Sequence, residues 1–426
     1  MTETGAVTWR PPATGELARR AEAALASIQE ALAMPAPDPP PSWVPLEHRE
    51  AQAADLAGGA AGLALFHAQL ALAGDAQARY RALELVEASM QALAELTLSP
   101  ALLGGFTGIA WSIDRVQRSA GGAGSDLSEI DAAVAGHLDR SPWLLDYDLV
   151  SGLAGFAVYA LDRLPEPGAA LVLERVLDRL DELAVVNGDR VAWHTPPRLL
   201  PPHQLDVFPA GCWNLGLAHG VPGVVAVLAR MVAAGFGADR ARTLLDGGVN
   251  WLLAQRGDGC PAFPSLNGDR GEVAPGRLAW CYGDPGVCLA LLAAGTALER
   301  AEVVEAALGI ARAAAVAPFE ASGVADTGLC HGAAGLAHVF NRLYQATGDE
   351  VLASAARRWL QTTLDMRRPG EGVAGFPAWE ALPEPHWAAR AGLLEGAAGV
   401  GLALAAAVQP AAPIWDDCLL MGLPCR

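Results

Sequence analysis

The stretch Leu329-Cys330-His331-Gly332-Ala333-Ala334-Gly335 sets a cysteine and a histidine directly before two glycines three residues apart. The same glycine spacing recurs at Gly59/Gly62, Gly105/Gly108, Gly152/Gly155, Gly220/Gly223, Gly283/Gly286 and Gly396/Gly399, giving seven copies. Their second glycines lie 46, 47, 68, 63, 49 and 64 residues apart, about the length of a helix pair with its loops. Internal repetition at such a period predicts an array built from one supersecondary unit. Immediately before each first glycine stand Gly58, Gly104, Ser151, His219, Tyr282, His331 and Glu395. One residue earlier stand Ala57, Leu103, Val150, Ala218, Cys281, Cys330 and Leu394. Equal offsets in neighbouring repeats are neighbours in space. Cys281, Cys330 and His331 are therefore expected to converge without any local C-x-x-C spacing.

Two kinds of helical segment alternate along the chain. Segments 76–97, 168–185, 238–255, 299–315 and 349–365 are charged and amphipathic. Segments 60–72, 106–113, 153–161, 221–235, 285–298, 333–340 and 397–408 start at the glycine patterns and carry almost no charge. A helix that is apolar all round is buried, and an amphipathic one shields it from water. The predicted fold is all-α, an α/α-toroid of seven inner and seven outer helices; an open superhelical solenoid is the competing geometry. Residues before the glycines would meet at one mouth of the ring. The chain reads as a single domain over 1–426, with an N-terminal helix at 14–33, a proline-rich linker at 35–45 and glycine-pattern repeats over 55–410. The Trp-, Phe- and Pro-rich loops, above all 187–216, are expected to line the mouth.

Composition narrows the function. The chain has 426 residues, 52% hydrophobic, with a formal net charge of −18. That charge disfavours nucleic acid, whose binders present basic patches. The N-terminus lacks an apolar signal core, and no apolar run is long and uninterrupted enough for an integral membrane segment. A cytoplasmic protein is expected. Seven cysteines, an odd number scattered along a large chain, speak for metal binding or burial rather than a disulfide framework.

Zinc favours four ligands, and catalytic sites supply three from protein while leaving the fourth open. Cys281, Cys330 and His331 form such a Cys2His set. A lone buried cysteine is ordinarily a small hydrophobe, and Cys212, Cys260, Cys288, Cys418 and Cys425 gain no partner from the repeat. His219 shares the offset of His331 and reads either as an acid or base at the mouth or as a helix-terminal histidine satisfied by backbone. Asp148 and Asp55 both precede their first glycine by four residues, so an aspartate there can simply brace the turn. Arg277 by default is a surface arginine.

The motifs Gly216-Leu-Ala-His-Gly-Val-Pro-Gly223, Arg277-Leu-Ala-Trp-Cys-Tyr-Gly-Asp-Pro-Gly286, Leu329-Cys-His-Gly-Ala-Ala-Gly335 and Leu394-Glu-Gly-Ala-Ala-Gly399 resemble the lanthionine cyclase family over essentially the whole chain. The resemblance implies an α/α-toroid with zinc held by Cys281, Cys330 and His331. It implies catalytic roles for His219, Arg277 and Tyr282, and by a looser match for Asp148. The implied reaction is Michael addition of a peptide cysteine to dehydroalanine or dehydrobutyrine, forming a thioether ring. The implied partners are a dehydrated precursor peptide and a separate dehydratase, because the repeats consume the sequence.

Three rival readings remain. A relative adding glutathione to dehydroamino acids would share the zinc site. A zinc-containing peptide-binding scaffold would hold the metal without turnover. A toroidal glycosidase needs paired carboxylates at the mouth, where only Glu395 holds the matched position.

Overall fold

Why the chain closes on itself is visible in the residues just before the glycines. In this computed structural model, which describes residues 9–33, 51–381 and 384–425, those loops are joined by a continuous circuit of backbone hydrogen bonds. Ala57 N donates to Leu103 O, Leu103 N to Val150 O, Leu149 N to Ala218 O, and Ala218 N to Cys281 O. Cys281 N then donates to Cys330 O, Cys330 N to Leu394 O, and Leu394 N back to Ala57 O at 2.9 Å. The last bond ties the seventh repeat to the first. The ring is closed, and the open solenoid is excluded.

Fourteen helices of nine residues or more occur among the described residues. They are α1 (Gly15–Leu32), α2 (Ala60–Leu72), α3 (Ala76–Glu95), α4 (Phe106–Ser119), α5 (Ser128–Leu138), α6 (Leu153–Leu161) and α7 (Pro167–Leu183). After them come α8 (Val221–Ala233), α9 (Ala238–Ala254), α10 (Asp284–Ala297), α11 (Ala301–Val316), α12 (Ala333–Thr347), α13 (Glu350–Asp365) and α14 (Ala397–Val408). Even-numbered helices form the inner ring, each packed on the next, and α14 packs against α2. Odd-numbered helices form the outer ring. Helix α1 covers α14, burying Ala21, Ala24, Leu25, Ile28 and Leu32. Burying each of the larger three, Leu25, Ile28 and Leu32, contributes about 1.5–3 kcal/mol. The expected linker at 35–45 lies outside the described residues.

The second glycine of each pattern is demanded by packing. At Gly108 a Cβ would stand 1.7 Å from Leu102 O and 3.0 Å from the Leu56 side chain of the preceding repeat. At Gly62 the same role falls to Leu56 O, at 2.4 Å, and to Leu393. The fully buried leucines at this register form a layer directly beneath the mouth.

Two inner helices run longer than the uncharged segments that announce them: α4 to Ser119 and α12 to Thr347. Their extra turns carry buried and half-buried polar groups that meet the C-terminal segment. Arg342 donates to Asp416 Oδ1 at 2.5 Å, and His338 Nε2 lies 2.6 Å from Asp416 Oδ2. Arg115 pairs with Asp417 at 3.2 Å, while Arg230 donates to Asp417 O. These partners come from α4, α8 and α12, on different sides of the ring. Residues 415–419 therefore plug its axis, and Trp280 Nε1 donates to Leu419 O from above.

Part of the loop structure expected at the mouth is stranded. β1 (Ala184–Asn187), β2 (Arg190–Thr195), β3 (Cys212–Asn214), β4 (Leu266–Gly268) and β5 (Val273–Ala274) form an antiparallel sheet in that order. β6 (Ala378–Glu380) pairs with β7 (His386–Ala388), setting Trp379 opposite Trp387. These strands are too short for a period-2 signal to stand out in the sequence. No helix among the described residues is long and apolar enough to cross a membrane.

Candidate metal centre

The repeat brings its three metal-type residues together. The ligand atoms of Cys281, Cys330 and His331 all lie within 4.8 Å of one another, the one such cluster of three among the described residues. Their backbones are fixed by the Cys281–Cys330 rung of the hydrogen-bond circuit, at 3.2 Å. Hydrogen bonding from Cys330, together with His331 and the Arg277 charge, holds the Cys281 thiol well below its ordinary value against the opposing effect of burial. Cys330, whose thiol donates to that charge and is also buried, is pushed up. The remaining cysteines stand apart and free; Cys288, for example, is buried against Ala307 O.

His219 faces the same mouth. Its Nδ1 lies 2.8 Å from Asp148 Oδ2, leaving Nε2 as the ring nitrogen not engaged by the carboxylate. Its side chain is 41% exposed and that of Asp148 only 12%. Burial by itself would lower the imidazole's pKa, but the Asp148 hydrogen bond and charge outweigh it, and the net direction is upward. Asp148 also braces its turn, Oδ1 accepting from Ser151 N at 2.8 Å. The sheet helps to hold this loop: Tyr147 OH donates to Trp193 O in β2.

Tyr282 stacks on His219, with ring centroids 5.8 Å apart and planes 26° from parallel. Its hydroxyl accepts from Asn214 Nδ2 at 3.2 Å, and burial pushes its pKa up. Asn214 is a site neighbour the sequence did not single out. It lies at the end of β3, where its Oδ1 also accepts from Gly216 N. The signal available was its position six residues before Gly220, the offset Arg277 holds before Gly283. Arg277 is not a free surface side chain. Nη2 donates to Gly323 O at 3.2 Å and to His331 O at 3.3 Å, while Nε and Nη1 meet no acceptor among the described residues. Glu395 is the next residue around the mouth from His331. Burial pushes its carboxyl up while His331 opposes the rise. With one carboxylate at that register, the paired-acid geometry of a glycosidase is not formed at the matched positions.

Comparison with known proteins supplies the wider setting. A family model described as lanthionine synthetase C-like protein matches residues 50–420. The nisin biosynthesis protein NisC of Lactococcus lactis subsp. lactis is 28% identical over 213 residues. That alignment takes in 46% of this chain and spans half the length of the relative. A solved structure described as nisin cyclase superposes with a TM-score of 0.72 at 19% identity. It covers 95% of this chain and 97% of that one, so the toroidal fold is shared throughout.

Proposed function

Because the chain belongs to the lanthionine synthetase C-like family, we propose that it is a zinc-dependent lanthipeptide cyclase, adding peptide cysteine thiols to dehydroalanine or dehydrobutyrine. The carrying observation is the convergence, at one mouth, of a Cys2His ligand set with an Asp148–His219 pair.

The ligand set fits zinc. Tetrahedral zinc, with Zn–S about 2.3 Å and Zn–N about 2.1 Å, places its ligands roughly 3.5–4 Å apart. Three donor atoms already within 4.8 Å of each other meet that demand with small side-chain shifts. When bound by Cys281, Cys330 and His331, zinc would supply an open coordination position at which a substrate thiol becomes a thiolate.

The remaining chemistry falls to the chain's own side chains. Sulfur adds to the β-carbon of the dehydro residue, and its electrons move through the α-carbon onto the carbonyl oxygen. Arg277, oriented by two backbone carbonyls, keeps N–H groups for that developing oxyanion. The α-carbon takes a proton from His219 Nε2, and solvent restores it. Asp148 holds Nδ1, fixing the ring and favouring the imidazolium. Tyr282 packs the ring in place. Dehydration must come first, so the reading requires a dehydratase acting upstream on the same peptide. Free thiols in the ligand set suit the reducing cytoplasm.

His219→Ala and Arg277→Ala test this assignment. Both variants should keep zinc near one equivalent by elemental analysis while ring closure slows by ~100- to 10,000-fold. Cys330→Ala should lose the metal. Full activity in both of the first two variants would overturn their roles, and full zinc retention in the third would overturn the ligand set.

A further inference from the structure

The two ends of the Asn214 amide are engaged in different ways. Asn214 ends β3, opposite Leu266 of β4, and is only 4% exposed. Its Oδ1 accepts from Gly216 N at 2.9 Å, the turn an asparagine makes with the backbone two residues on. That bond fixes which way the amide faces, because a backbone N–H can meet only its oxygen. Nδ2 is thereby turned to Tyr282 and donates to the hydroxyl oxygen at 3.2 Å.

A phenol hydroxyl both accepts and donates, and near neutrality it keeps its proton. With Asn214 donating to the oxygen, the hydroxyl's own proton points elsewhere, and it meets no acceptor among the described residues. The ring is not free to turn away. One face is stacked on His219, and its edge lies against Gly216, where a Cβ would stand 2.7 Å from Cε1 and 2.8 Å from Cδ1. Asn214, Gly216 and His219 belong to one short segment, so a single loop stacks the ring, sets its edge and orients its hydroxyl. A half-buried donor held this firmly, beside the proton-transfer group and without an acceptor, is built to meet one on a ligand.

We propose that Asn214 is a positioning residue for ring closure, holding the Tyr282 oxygen by donation so that the hydroxyl proton is offered to the carbonyl oxygen of the dehydro residue. The proposal rests on the cyclase reading. As sulfur adds to the β-carbon, an electron pair passes to that carbonyl oxygen. The hydrogen bond from Tyr282 strengthens as the charge grows, beside those from Arg277. No proton leaves the phenol, since the α-carbon is protonated by His219. An amide suits the task because its N–H cannot accept the hydroxyl proton, whereas a carboxylate in its place would draw that proton back into the protein.

The test changes Asn214 alone, Tyr282 alone and both, following loss of free thiol from a synthetic peptide with one dehydroalanine and one cysteine. Asn214→Asp keeps an oxygen for Gly216 N but sets a second where Nδ2 stood, so the Tyr282 hydroxyl turns to donate to it. Its kcat should fall roughly 10- to 100-fold, the worth of a hydrogen bond to a charged group, with KM, zinc content and helical circular dichroism near wild type. Tyr282→Phe should lose kcat to the same order. Added to Tyr282→Phe, Asn214→Asp should cost no more than about twofold further, because the two residues act through one contact. Asn214→Ser also keeps the turn to Gly216 N, carries no charge and merely releases the hydroxyl. It should fall between wild type and Asn214→Asp, with its effect equally lost beside Tyr282→Phe, and it replaces Asn214→Asp in every comparison if that variant does not fold. Losses that add in the double variant show a structural or purely electrostatic role and overturn the proposal, as does wild-type kcat in Tyr282→Phe or Asn214→Asp. If wild-type protein closes no ring faster than buffer, the cyclase reading fails, and the ring-carbon Cζ resonance of carbon-13 tyrosine decides the orientation alone. The signal missing from Tyr282→Phe should move downfield in Asn214→Asp, where the hydroxyl donates within the protein; an unmoved signal overturns the positioning.

Discussion

Replacing Asp148 by asparagine isolates the contact on which the proton-transfer step depends. The amide oxygen can keep the bond from Ser151 N, so the turn survives. The amide NH2 then takes the place of Oδ2, 2.8 Å from His219 Nδ1. It donates where the carboxylate accepted, moves the imidazole proton to Nε2, and no longer favours the imidazolium. A hydrogen bond to a charged group is worth about 1.5–3 kcal/mol, or roughly 10- to 150-fold in rate when expressed in the transition state. The pH profile carries the sharper signature. His219 is held above its ordinary pKa against burial by the Asp148 hydrogen bond and charge first, with Cys281 and Asp146 adding to them; without the Asp148 carboxylate the largest opposing cause is gone and the pKa moves down. An acid with a lowered pKa is lost at lower pH, so the alkaline limb of kcat/KM should move toward acid. The rate loss should be larger at pH 8 than at pH 6. Thiol loss from a dehydrated peptide, measured across that range at constant zinc occupancy, reads both effects. An unshifted limb with a rate within twofold of wild type would refute the acid assignment.

Three further outcomes follow from the fold. Gly108→Ala drives a methyl against Leu102 O at 1.7 Å, so the ring must open locally; thermal denaturation should show a loss above about 3 kcal/mol, whereas Gly74→Ser, in open space but with positive φ, should cost much less. Asp416→Ala strands Arg342 and His338 inside the ring axis, and breaking a buried pair typically costs about 3–5 kcal/mol, readable as a lower denaturation midpoint. Chelation should leave the helical circular dichroism intact, because the ring buries its core without the metal; collapse to a disordered spectrum would contradict this.

The ring and the convergence of Cys281, Cys330 and His331 were legible because both ride on one register. Equal offsets before Gly283 and Gly332 place Cys281 and Cys330 on adjacent rungs of the backbone circuit. The inner helices announced themselves by lacking charge. That same criterion ended α4 and α12 too early, since the charged Arg115, half-buried, and Arg342, buried, pair with Asp417 and Asp416, residues far away in sequence. Helix α5 passed unnoticed because it is short and mostly alanine, glycine and isolated acids. The hydrogen bonds of Asn214 and Arg277 depend on which carbonyl or hydroxyl a loop presents, which no single-chain pattern specifies. Asp148 could be read as a brace of its turn or, through the resemblance, as a site residue; Oδ1 accepts from Ser151 N and Oδ2 meets His219 Nδ1.

The most direct test of the central claim is the rate at which wild-type protein, loaded with one zinc, removes free thiols from a dehydrated Ser/Thr/Cys-containing peptide. Alkylation counts the thiols, and fragmentation locates the rings, since closure leaves the mass unchanged. The account predicts thiol loss well above the spontaneous rate, abolished in Cys330→Ala and without added mass when glutathione is present. Thiol loss no faster than in buffer on every cognate dehydrated peptide would contradict it.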